Sequence, residues 1–158
     1  MNKILIILAV TALMYGCSGR NQQNETPAQT SGGDLMKEDN AHYAPDAKGI
    51  GKFKDVPVAS ALDPTMASNG NKIYDLKCSS CHKLTKEKLV GPGWTGVTHR
   101  RKAEWVMNFV TNTDEMISKD PAAAALLEEC LVRMPNQSLS DDDARNVYEF
   151  MRKNDGVK

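Results

Sequence analysis

Residues 78 to 82 read C-S-S-C-H, and no other stretch of the chain limits its architecture so tightly. Two thiols at this spacing serve three chemistries: a redox disulfide, half of a zinc site, or the covalent capture of a haem. Each needs a different setting, so the flanking sequence has to choose between them.

A closed zinc site takes four ligands, commonly as two pairs. The chain has no second C-x-x-C and no H-x-x-x-H, and its other cysteines are Cys17 and Cys130. A thioredoxin-like disulfide belongs at the start of a helix after a strand. Here the motif ends an amphipathic stretch, with Met66, Gly70, Ile73, Tyr74 and Cys78 on one helical face. Haem attachment has a direct physical basis. The two thiols reach the two vinyl groups of one macrocycle, and His82 then lies under the ring to coordinate iron. A covalent haem also supplies core to a chain whose aromatic content is only 6%.

The N-terminus bears on where that chemistry happens. Lys3 precedes an apolar run from Ile4 to Leu13, too short to span a bilayer as a helix. Gly16 and Cys17 follow, so residues 1–16 read as a signal peptide. A small residue directly before a cysteine resembles a bacterial lipoprotein signal, which implies cleavage before Cys17 and its lipidation. An ordinary signal or an uncleaved anchor are the alternatives. Lipid on Cys17 would hold the protein on an extracytoplasmic, periplasmic-side membrane surface. Residues 17–40 are polar and read as a flexible tether. Segment 41–62 spaces Tyr43, Ile50, Phe53, Val56, Val58 and Leu62 among Gly and Pro. It reads either as an extended segment packed on the domain or as continued disorder.

Residues 63–158 form the domain, and no strand signal stands out in them. Asp63-Pro64 and Asp120-Pro121 each read as an N-cap followed by proline in the first turn. Ser140 with Asp143 reads as a capping box, before a helix that buries Val147, Phe150 and Met151. Trp105, Val106, Phe109 and Val110 share a face of a further helix. The expected fold is all-α, with four main helices and long loops. Lys and Arg total 20 against 20 Asp and Glu, which argues against a nucleic-acid binder.

On these residues the chain resembles the class I monohaem c-type cytochromes over roughly 64–154. The resemblance rests on C-S-S-C-H, on Gly70 and Tyr74 before it, on Val147 and Phe150 in the last helix, on Pro92 in "LVGPGW", and on Met134-Pro135. It implies a cytochrome c fold around one covalent haem c, held by thioethers from Cys78 and Cys81. It implies His82 and Met134 as axial ligands, with the Pro92 carbonyl orienting His82. Trp94 would pack near the haem or simply in the core. Among other sixth-ligand candidates, Met107 and Met151 fall inside helices, Met116 in a loop, and His99 in the basic run H-R-R-K; His42 is weaker still. Cys130 has no intramolecular partner and reads as a small buried apolar residue, with an intermolecular disulfide or redox sensing as the alternative.

The implied role is an electron carrier rather than an enzyme, working between respiratory-chain components. Partners of the implied class are a quinol–cytochrome c reductase, a terminal oxidase or a nitrogen-oxide reductase. Lys83, Lys86 and Lys88, with residues 99–102, form two basic clusters that either steer acidic partners or are solvated loop charge. The rival reading is a haem enzyme or gas sensor with an open or labile sixth position.

Overall fold

The computed structural model describes residues 47–158. Segments 1–16 and 17–40, residues 41–46, and with them Cys17 and His42, lie outside the described residues.

Helix α1, Pro64–Ile73, begins where the Asp63 carboxylate accepts from the Thr65 and Met66 N–H groups, each at 2.9 Å. Proline is tolerated here because the first N–H groups of a helix have no intrahelical acceptor. The chain then widens into one π turn, Tyr74–Cys78, which delivers it to the cysteine motif. Four more helices follow: α2 Val97–Arg100, α3 Ala103–Thr111, α4 Thr113–Lys119 and α5 Pro121–Cys130. Helix α6, Asp141–Asn154, opens with the full Ser140–Asp143 capping box. No strand occurs among the described residues; His82 and Lys88 form an isolated antiparallel bridge.

The four long segments expected from the sequence are α1, α3, α5 and α6. Helix α4 was read as loop, and Met116 with it. The physical reason lies in burial: Met116 is fully buried, and contacts from residues 47–56 supply what local sequence does not.

Helices α1 and α6 form the most extensive helix pair. Gly70 makes their close crossing feasible: a Cβ there would lie 2.0 Å from the Asn146 carbonyl oxygen. The Tyr74 ring sits 5.4 Å from that of Phe150 and 5.0 Å from that of Trp94, extending the contact toward the motif.

Residues 47–62 run extended over α3, α4 and α6. Their backbone groups are satisfied mostly by side chains, as buried polar groups must be. Asn108 accepts from the Phe53 N–H and donates to the Lys48 and Phe53 carbonyls, at 2.9–3.0 Å. Glu104 accepts from the Val56 N–H. Arg152 donates to the carbonyls of Ala59 and Ser60, and Glu149 accepts from the Asp63 N–H. This cover buries Glu104 and Asn108, so α3 is enclosed on more than the single face its apolar pattern indicates.

Candidate functional site

The cysteine motif is locked into a tight turn by its own backbone. The N–H groups of Cys81 and His82 both donate to the Cys78 carbonyl, at 3.1 and 2.9 Å. Val90 and Gly91 donate to the Cys81 carbonyl, and the Tyr74 hydroxyl donates to that of His82 at 2.7 Å. The motif is thus clamped between the π turn and the loop that carries Pro92.

His82 Nδ1 lies 2.9 Å from the Pro92 carbonyl oxygen. A carbonyl oxygen only accepts, so Nδ1 carries the proton and Nε2 keeps its lone pair. Burial lowers the His82 pKa, only partly opposed by this hydrogen bond, which favours the neutral imidazole a metal requires. Gly91 is packed against the ring: a Cβ there would fall 2.3 Å from His82 Cε1.

His82 lines two adjoining cavities of about 90 and 110 Å³. They share His82, Pro92, Phe109, Leu126 and Met134 as walls. The first also touches Cys81, Val90, Ile117 and Cys130. The second is bounded by Trp94, Val106, Val110, Arg100, Arg101 and Met151. Cys78 is buried, with its thiol pushed up to about 11 by burial, and is not among the residues lining either cavity. Neither motif cysteine is in a disulfide.

These residues fit a covalent haem: two free thiols, that of Cys81 in the wall of an apolar slot, an imidazole presenting Nε2, and a methionine in the same walls. Trp94 is buried, with its ring 5.7 Å from that of His82, so it belongs both to the core and to the cavity wall.

The structure separates the other sixth-ligand candidates. Met116 lines neither cavity, and its sulfur accepts from the Ile50 N–H at 2.9 Å. Met107 is buried in the core away from both cavities, His99 is exposed, and Met151 lies in α6 at the wall of one. Cys130 requires a correction. It is half-buried at the C-terminal end of α5 and lines the first cavity beside Cys81, rather than filling the core. Arg100 and Arg101 also line a cavity, which a reading of the basic run as loop charge misses. Arg101 lies over the Trp105 ring at 4.5 Å, and Arg100 donates to the Thr95 carbonyl. Phe109 and Leu126 went unnamed as wall residues; Phe109 carried a signal, because it falls one turn after Trp105 on the same face.

The turn that presents Met134 is unusual. Helix α5 is capped by Leu131 in the left-handed region at φ 59°, reversing the chain so that Val132 to Pro135 meet the cavity.

A cytochrome c family model matches residues 67–155. Among solved structures, the chain is similar to a cytochrome c from Rhodothermus marinus, at 30% identity and TM-score 0.64, covering 66% of this chain and 90% of that one. An engineered form of that protein, Rma TDE, matches with the same identity, coverage and score. Rma TDE bound to a carbene intermediate, 1-ethoxy-1-oxopropan-2-ylidene, also matches at 30% identity and the same coverage, with TM-score 0.61. The chain matches no protein among the curated sequences.

Proposed function

The chain belongs to the cytochrome c family, whose all-helical fold it shares, and from that premise we propose a membrane-tethered carrier with one haem c ligated by His82 and Met134. Family membership implies covalent haem and electron transfer; its members are typically electron carriers. When bound, haem c supplies a one-electron ferric/ferrous couple. The observation that carries the ligand reading is the His82–Pro92 hydrogen bond beside walls that include Met134.

The chain's own residues have three tasks in this reading. His82 is held in one tautomer and one orientation by Pro92 and Gly91. Phe109, Leu126 and Trp94 exclude water, which favours a high potential. Met134, in the wall of both cavities, would supply the second iron ligand and so leave no room for a substrate at the metal.

Cys17 is the proposed lipid attachment point, with residues 17–40 as tether on the periplasmic side. The proposed partners are a quinol–cytochrome c reductase, a terminal oxidase or a nitrogen-oxide reductase. The basic clusters support acidic partners only in part. Lys83 pairs with Glu87 at 2.7 Å and Lys88 donates to the Glu129 carbonyl, so two lysines of the first cluster are engaged within the chain.

A second reading, a labile sixth position open to exogenous ligands, draws on the engineered relative described with a carbene intermediate bound. Pyridine haemochrome spectra, intact mass and cyanide binding to the untreated protein test both readings. One covalent haem with slow cyanide binding supports the carrier. Rapid cyanide binding favours the second reading, and a mass without haem removes both.

A further inference from the structure

We propose that residues 47–56 form a strap holding the cavity wall closed, so that lifting the strap frees the sixth haem position for outside ligands. The inference rests on the haem reading above and adds a control element to it.

The strap has no regular partner, so its N–H groups go to side chains of α3 and α4. Ile50 donates to Met116 Sδ, Phe53 to Asn108 Oδ1 and Val56 to Glu104. Two of these acceptors adjoin cavity walls in sequence. Phe109 follows Asn108, and Ile117 follows Met116. The strap therefore grips the outer side of the two helices whose other side chains bound the haem slot.

The fit leaves no slack. Gly49 has φ +72°, and a Cβ there would meet Met116 Cε at 2.8 Å. A Cβ at Gly51 would lie 2.3 Å from Asn108 Oδ1. The far end is anchored separately, through Ala59 and Ser60 to Arg152 and through Asp63 to Glu149. Residues 47–56 can then lift without disturbing α1. The segment has no regular structure; besides its hydrogen bonds it is held by the ion pairs of Lys48 with Glu104 and Lys52 with Asp141 and by the packing of Ala47, Ile50, Phe53 and Val56 on the core. Without backbone pairing of its own, it opens more readily than the helices it covers.

Coupling of this kind is reciprocal: a ligand favoured by the lifted strap must itself favour lifting. The test is hydrogen exchange on the haem-loaded, ferric full chain, with and without saturating imidazole. Imidazole should speed exchange at the Ile50, Phe53 and Val56 amides by roughly 5- to 150-fold. The Leu62 and Asp63 amides should not change. Gly51→Ala should raise imidazole affinity by up to the same factor. Unchanged exchange at the three strap amides in the wild-type chain overturns the proposal, whatever the variant does. Imidazole displaces any sixth ligand, so a failure of the Met134 assignment, read from the Met134→Ala spectrum, is distinguishable from a failure of the strap.

Discussion

Nδ1 of His82 stands 2.9 Å from the carbonyl oxygen of Pro92, while the Cα of Gly91 is pressed against the same ring. One contact fixes the tautomer and the other fixes the tilt. Gly91→Ala should therefore displace the imidazole, because its Cβ would fall 2.3 Å from Cε1. The expected cost is about 1–3 kcal/mol of stability, as for an overpacked core, together with a weakened low-spin spectrum. Denaturation of the haem-loaded variant with parallel absorption spectra checks both; an unchanged spectrum contradicts the account.

Gly70→Ala tests the α1–α6 crossing. The new methyl would sit 2.0 Å from a backbone oxygen that cannot rotate away. The helices must separate, with loss of the Tyr74–Phe150 contact. A loss of about 3 kcal/mol or more is expected in urea unfolding, the upper end for overpacking. A change below about 1 kcal/mol would mean the crossing adjusts freely.

Glu149 is fully buried between Arg145 and Arg152. Burial pushes its carboxyl up, but hydrogen bonds from the Asp63 N–H, Arg145 and Arg152 outweigh this, and the net shift is downward. The folded pKa then lies below the unfolded one. The stabilisation is complete above the ordinary value of 4.5 and is lost as pH falls through the folded pKa. Glu149→Gln should cost about 3–5 kcal/mol at pH 7, since it leaves the buried Arg152 and the part-buried Arg145 without their anion. That gap should narrow only below pH 4.5. A pH-independent difference between variant and wild type down to the acid limit would contradict it.

Leu131 holds a left-handed backbone with its side chain 85% exposed. Such a conformation costs a residue with a Cβ about 1–2 kcal/mol, and little burial is lost on removing the side chain. Against the added chain entropy of glycine, about 0.5–1 kcal/mol, Leu131→Gly should leave stability unchanged or raise it by up to about 1.5 kcal/mol. Thermal unfolding of the two chains decides this; a clear drop in Tm would show that Leu131 makes a contact the structure does not contain.

Much of this was legible in the sequence where local chemistry decides structure. Asp63-Pro64, Asp120-Pro121 and Ser140 with Asp143 start helices because their side chains satisfy the first free N–H groups nearby. The Gly70 crossing and the place of Pro92 were also legible, through the family resemblance. What escaped depends on partners distant in sequence. Met116 is helical and buried because Ile50 reaches it across 66 residues, and no local pattern announces that contact. Asn108 and Glu104 look like solvent-facing positions until the strap covers them. Cys130 reads as core by residue type, yet α5 ends at the cavity and leaves it in the wall.

The ferric absorption spectrum of haem-loaded wild type beside Met134→Ala tests the central claim most directly. A methionine-to-iron charge-transfer band in the red should be present in the wild type and absent from the variant. Intact mass should meanwhile show the haem still bound to both chains. A band that survives in Met134→Ala, or that is missing from the wild type, would contradict His82–Met134 ligation.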